Sequence, residues 1–253
     1  MTEQTSASTG TKMWWSRAIL IGAVVAAVLL PLGAVGSRLG IWTFSGGFLL
    51  LAAGTVLAAI GLVVGIAGII AANRRGLSED KPAVYLGTLI SALILGTMGM
   101  QFYAASSVPP IHNISTDVTD PPQFDRLVAV RGDGSNPLEY DAEKLGPLQL
   151  EAYPWVKTLT TQASPREAFD RALDVLEGMG LEIVNGDREA GRIEATATTF
   201  WFGFKDDVVV RIRPGADGGS VVDMRSVSRV GVSDLGVNAR RIGEFLKRFT
   251  AES

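Results

Sequence analysis

Residues that could do chemistry cluster in the second half of the chain. His112 follows "VPP" with Asp117 and Asp120 close behind, a spacing that would suit a metal or a proton relay. Structural zinc needs three or four well-placed ligands, and His112 is the chain's only imidazole. It reads as a hydrogen-bonded linker histidine. Asp206 and Asp207 are adjacent, so on a strand they point to opposite faces and cannot act as an acid–base pair. Glu194 and Asp223 fall in alternating segments beside Arg211, Arg213 and Arg225. Cross-strand ion pairing on a solvated sheet face accounts for that pattern. Carboxylate catalysis of a hydrolase type is the competing use. Arg229, Arg240 and Arg241 flank the start of a C-terminal helical segment, where arginines beside a helix N-terminus can hold an anion. With one imidazole, a serine nucleophile has almost no choice of base, and no G-x-S-x-G occurs. No cysteine is present, which removes disulfides, thiolate nucleophiles and cysteine metal sites. No cofactor is implied.

The segment "TTFWFGFKDD" at 198–207 gathers Phe200, Trp201, Phe202 and Phe204 in five positions. If strand alternation runs through it, Trp201 shares a core face with Ile193, Ala195 and Ala197, and Phe200 and Phe202 point the other way. That second side is then covered by the proline-rich arm of residues 106–155 or offered to a ligand or protein partner. The binding candidates are therefore Phe200, Phe202, Phe204, Arg211, Arg213, Arg225 and Arg229. Membrane contact by this patch is disfavoured, because Asp206 and Asp207 adjoin it and anionic headgroups repel carboxylates.

These residues sit in a chain with two unlike parts. Between residues 18 and 116 the only charges are Arg38, Arg74, Arg75, Glu79, Asp80 and Lys81. Three apolar runs, at about 18–36, 48–72 and 83–105, each reach the roughly 20 residues that cross a hydrocarbon core. Residues 1–105 read as a membrane domain whose partner is the lipid bilayer. Lys12, Arg17, Arg74, Arg75 and Lys81 lie on one side of the bundle and Arg38 on the other. The positive-inside rule puts the N-terminus in the cytoplasm and the C-terminal domain outside, on a multi-pass protein of the plasma (inner) membrane. A cleaved first run would leave the other two in the same orientation; an uncleaved helix fits its length better. No ionisable residue lies within a span, which argues against transport. Gly61 and Gly65 form a G-x-x-x-G, suited to packing inside the bundle or to homo-oligomerisation.

From residue 106 onward there are 17 Lys and Arg against 23 Asp and Glu, net −6, which leaves no broad surface for nucleic acid. Residues 106–155 hold seven prolines and read as an ordered arm, since its aromatic and aliphatic residues need burial. In 156–253 the pattern is strand, helix, four strands, helix. "SPRE" at 164–167 is a capping box with proline at the first helical position. The expected fold is α+β: three transmembrane helices, then an extracytoplasmic antiparallel sheet of four or five strands covered by two helices in a helix-grip-like layout.

"NISTDVTDPPQF" (113–124), "TTFWFGFKDDVVVRIRP" (198–214) and "SRVGVSDLGVNARRI" (228–242) resemble the family known as domain of unknown function 1499. The resemblance covers about 109–249 and implies no activity. The functional expectation is a non-catalytic binding or assembly module of the cell envelope, taking a protein or lipid ligand, with an enzyme as the alternative.

Overall fold

The computed structural model describes residues 13–251. Lys12, counted in the orientation reading, lies outside them. The chain divides into two compact units, 1–103 and 104–253.

The first unit contains three helices, α1 (Trp14–Arg38), α2 (Phe44–Arg74) and α3 (Lys81–Ser106). All three are long and apolar enough to cross a membrane. Most of their large side chains face outward, as helices surrounded by lipid require. Small residues make the inner contacts. A Cβ at Gly65 would collide with the Thr88 hydroxyl, and one at Gly61 would meet Ser91 Oγ at 2.7 Å. The G-x-x-x-G face is thus occupied by α3 of the same chain. At one end of this unit, the Asp80 carboxylate accepts the Met13 N–H at 2.9 Å and the Ser16 hydroxyl at 2.5 Å. The start of α1 and the α2–α3 turn therefore lie together.

The second unit is α+β. Its strands are β1 (Asn113–Ser115), β2 (Leu159–Thr161), β3 (Glu182–Asp187), β4 (Arg192–Thr198), β5 (Lys205–Pro214) and β6 (Ser220–Ser228). They form one antiparallel sheet of order β1-β6-β5-β4-β3, in which β2 also pairs with β6. β1 faces residues 225–227 and β2 faces 220–222, so the two short strands share one lane end to end. The sheet has six strands where four or five were expected, because β1 arises inside the proline-rich arm. Its three residues are too few to show alternation.

α6 (Pro165–Gly178) and α7 (Val237–Ala251) cover one face. Phe169, Ala172, Leu176, Ile242, Phe245 and Phe249 pack there on Ile193, Ala195, Val208, Val210, Ile212, Val222 and Met224. The capping box at the head of α6 is present: the Ser164 side chain accepts from the Glu167 N–H, and Glu167 reaches back to Ser164.

The other face is not solvated, contrary to expectation. The arm folds over it and carries two helices, α4 (Arg126–Val130) and α5 (Ala142–Ala152). Glu194, Asp207, Asp223 and Arg225 are all fully buried. Alternation separates a polar face from an apolar one, but it does not report which face is wet. The unit has three layers: helices, sheet and arm.

Candidate functional site

The polar sheet face is assembled by β4, β5 and β6, whose odd–even alternation points Glu194, Asp207, Arg211, Arg213, Asp223, Arg225 and Arg229 away from the helices. Each carboxylate there has specific partners. Glu194 accepts the backbone N–H groups of Asp125 (2.7 Å), Arg126 (2.8 Å) and Leu127 (3.3 Å), at the head of α4. Asp207 takes a two-pronged bond from Arg229 at 2.8 and 2.9 Å, a second guanidinium from Arg131, and the Thr196 hydroxyl at 3.1 Å. Asp223 accepts Arg211 and Arg213 on one oxygen, at 3.0 and 2.8 Å. Its other oxygen accepts the hydroxyls of Thr116 and Thr158, at 3.0 and 2.6 Å. Arg211 and Arg213 also reach Asp117 and Asp120 of the arm.

Arg225 differs, because no carboxylate touches it. Its guanidinium donates to Asn113 Oδ1 at 3.0 Å, to the Pro122 carbonyl at 3.1 Å and to the Leu138 carbonyl. The Phe124 and Tyr140 rings lie 5.4 and 5.6 Å from it. Burial without a counter-ion pulls its pKa down to about 10, while burial pushes the Tyr140 phenol up to about 12. Arg225 is a clamp that holds the arm at three points.

The expected binding candidates therefore divide. Arg211 and Arg213 meet on Asp223. Arg229 sits on Asp207, and Arg225 is wholly buried. Five arginines of this face (131, 211, 213, 225 and 229) stand with five carboxylates (117, 120, 194, 207 and 223), so the layer has no surplus charge. The expected anion cradle at α7 is also filled. Arg241 points inward to Asp206 at 2.6 Å and Ser226 at 2.9 Å, and Arg240 donates to the Leu235 carbonyl. Among the described residues, no group of three His, Asp or Glu is placed to hold a metal ion. His112 Nδ1 lies 3.5 Å from the Val232 carbonyl.

The aromatic segment departs most from the sequence reading. β4 ends at Thr198, and 199–204 form the β4–β5 loop, so strand alternation does not extend to Trp201. Trp201 is 58% exposed and Phe200 74% exposed, and their rings meet edge to face at 5.2 Å. The expectation of a core Trp201 is overturned. Phe202 and Phe204 stack on each other at 5.2 Å and are half-buried. The loop closes through Thr199, which accepts the Phe204 N–H on its hydroxyl and donates its own N–H to the Phe204 carbonyl.

Two further apolar residues lie at the same end of the sheet. The β6–α7 connection starts beside β5, where the Arg229 N–H meets the Lys205 carbonyl at 2.9 Å. It presents Val232, 79% exposed, and Leu235, 49% exposed. Leu235 has φ 54°, a left-handed backbone that is costly for a branched side chain. Asp234 holds that turn by accepting the N–H groups of Gly236 (2.8 Å) and Asn238 (2.7 Å). Burial raises the Asp234 pKa. Sequence reading missed Val232, and helical periodicity groups Leu235 with Ile242, Phe245, Leu246 and Phe249, but α7 begins only at Val237 and leaves Leu235 exposed in the turn before it. The signal was there in "VGVSDLG", two large apolar residues within a turn of Gly, Ser and Asp.

The fold and this geometry describe a small α+β unit, three layers thick, that follows three apolar helices. The family model described as protein of unknown function, DUF1499, matches residues 113–249, and the chain belongs to that family. No curated protein matches the chain.

Proposed function

We propose that this protein is a binding or assembly module of the cell envelope, without catalytic activity. In this reading, three spans hold it in the plasma membrane with the N-terminus in the cytoplasm and the α+β unit outside. The observation that carries it is the state of the polar sheet face. The groups best suited to acid–base work, Glu194, Asp207 and Asp223, lie under the arm and are engaged by amides, hydroxyls and guanidiniums. A catalytic carboxylate has to reach a substrate in a cleft. The large apolar side chains that this unit exposes include Val128, Trp155, Phe200, Trp201 and Val232. Scattered singly such residues mean little, but Phe200, Trp201 and Val232 share one end. A homo-oligomer through Gly61 and Gly65 would have to displace Thr88 and Ser91, so oligomerisation is not part of the proposal.

The reading is tested by placing a photo-crosslinking amino acid at Val128, Trp155 or Val232 in living cells. At least one position is expected to give a discrete, light-dependent adduct with a protein or lipid. Silence at all three, in protein shown to be folded and membrane-bound, overturns it.

A further inference from the structure

We propose that the exposed apolar edge formed by Phe200, Trp201, Val232 and Leu235 docks into the headgroup region of the bilayer that anchors the chain. The inference relies on the three apolar helices crossing that bilayer; it does not depend on what else the unit binds.

The first support is the tether. α3 ends at Ser106, and the chain is fixed to the second unit from Ile111 onward. The Ile111 carbonyl accepts the Asp234 N–H at 3.2 Å, and the His112 carbonyl accepts the Ser228 N–H at 3.0 Å. Only residues 107–110 lie between, and the chain from Ser106 to Ile111 reaches at most about 18 Å. Two of them, Pro109 and Pro110, stiffen the link further. The tether attaches at the same end of the sheet as the edge. β1 begins there, antiparallel to β6, whose last residues lead into the Val232–Leu235 connection. β4 ends and β5 begins there, so the Phe200–Trp201 loop is there too. The link therefore enters the second unit at the end of the sheet that carries the edge, and a link this short favours contact between that end and the interface. Trp and other amphipathic rings favour that zone, as Phe102 and Tyr103 near the end of α3 already suggest.

The second support is charge. The objection to lipid contact was the neighbouring Asp206 and Asp207. Both are buried and ion-paired, Asp206 with Arg241 and Asp207 with Arg131 and Arg229. Asp234 is buried as well. Exposed charges near the edge include Lys205 and Arg240, together with Asp133 in the turn that Asn136 ties to Gly231 and Glu139 beside Asn113. These four sum to no net charge, so they do not set the edge against an anionic lipid surface. The third support is the strain at Leu235, which displays a leucine to the outside from a left-handed turn that glycine would occupy at no cost.

The absence of cysteine gives a clean test on the full-length protein. Val232→Cys and Asp217→Cys are each labelled with an environment-sensitive fluorophore. Asp217 lies in the β5–β6 turn, at the opposite end of the sheet. Both proteins are reconstituted in vesicles of phosphatidylethanolamine and phosphatidylglycerol. The expected result is a blue-shifted Val232 label, quenched by nitroxides high on the acyl chain and shielded from aqueous iodide, while the Asp217 label shows the reverse. Adding Phe200→Ser and Trp201→Ser should abolish the lipid quenching at Val232 without lowering the melting temperature. A Val232 label quenched by iodide and untouched by nitroxide overturns the proposal. So does a label shielded from both, which would mean that protein covers the edge. Retained lipid quenching in the double serine variant would show that the aromatic pair does not dock, and overturns the proposal as stated.

Discussion

Asp207 is where one atom changes most. It is buried between Arg131 and Arg229, whose side chains are only 6% and 16% exposed. Asp207→Asn leaves both guanidiniums in place and removes their counter-charge. Losing one partner of a buried pair typically costs about 3–5 kcal/mol, so the variant should show a markedly lower urea midpoint. A change below about 1 kcal/mol would mean that water reaches this pair and that it behaves like a surface bridge. Trp201→Ala should do the opposite. Exposed positions away from caps and buried networks usually move stability by no more than about 0.5 kcal/mol, whereas Phe245→Ala, in the core, should cost about 3–5 kcal/mol. Equal melts for Trp201→Ala and wild type, beside a large drop for Phe245→Ala, check the assignment. The contrast also shows what was legible. Ile193, Ala195 and Ala197 were placed correctly by alternation, because each carries the pattern locally. Trp201 was misplaced because the strand stops at Thr198, and that stop is set by a loop closed through Thr199 and Phe204. Only the three-dimensional loop contains that information. Likewise, the sequence places Arg241 beside a helix N-terminus but does not show that Asp206, 35 positions away, is its anion.

At the scale of elements, the arm is the part that composition half described. Its prolines announce extended backbone, its aromatics announce burial, and strand alternation offers the second side of the sheet as a surface for it to cover. That surface is the polar sheet face, and the attachment runs through Arg225, Glu194 and Gln149. The Gln149 amide mimics a further strand: it accepts the Ser115 N–H at 3.0 Å and donates to the Ser115 carbonyl at 2.7 Å. Arg225→Leu should release the Pro122 and Leu138 carbonyls and loosen the arm. Each buried acceptor left without a donor costs about 1–3 kcal/mol. Limited proteolysis should then cut within residues 117–140 well before the sheet unfolds; a variant as resistant as wild type would show that the clamp is redundant. The helices were more legible, since the cap of α6 is written in four consecutive residues. Its Glu167 carboxyl is held below the usual 4.5, first by the Ser164 side chain and then by the Ser164 backbone. A depressed acid contributes stability that is present above pH 4.5 and lost as pH falls through the folded value. Glu167→Gln should therefore lower stability slightly at neutral pH, leave it little changed well below the folded value, and so flatten part of the acid limb of the stability–pH curve. An unchanged acid limb would remove the capping box as its cause.

For the whole molecule, the open question is which side of the membrane carries the α+β unit, and the packing of the first unit sharpens it. Asp80 binds the Met13 N–H and the Ser16 hydroxyl, so the head of α1 and the α2–α3 turn lie at one end of the bundle. Three spans of roughly bilayer length then leave the end of α3 on the opposite side. Arg17, Arg74, Arg75 and Lys81 gather near Asp80, and Arg38 alone ends α1 on the far side. Loops rich in Lys and Arg stay in the cytoplasm, and the proposed placement of everything after Ser106 outside rests on that rule. Two reporters fused in turn after Ser253 check this. One that fluoresces only when folded in the cytoplasm should stay dark, and a phosphatase that matures only outside should be active. Replacing Arg74, Arg75 and Lys81 with serine, while adding two lysines beside Arg38, should weaken or reverse that pattern if the cations set the orientation. Fluorescence from the wild-type fusion would put the α+β unit in the cytoplasm. The proposed docking edge would then meet the inner leaflet, because the chain leaves the same end of α3 in either orientation.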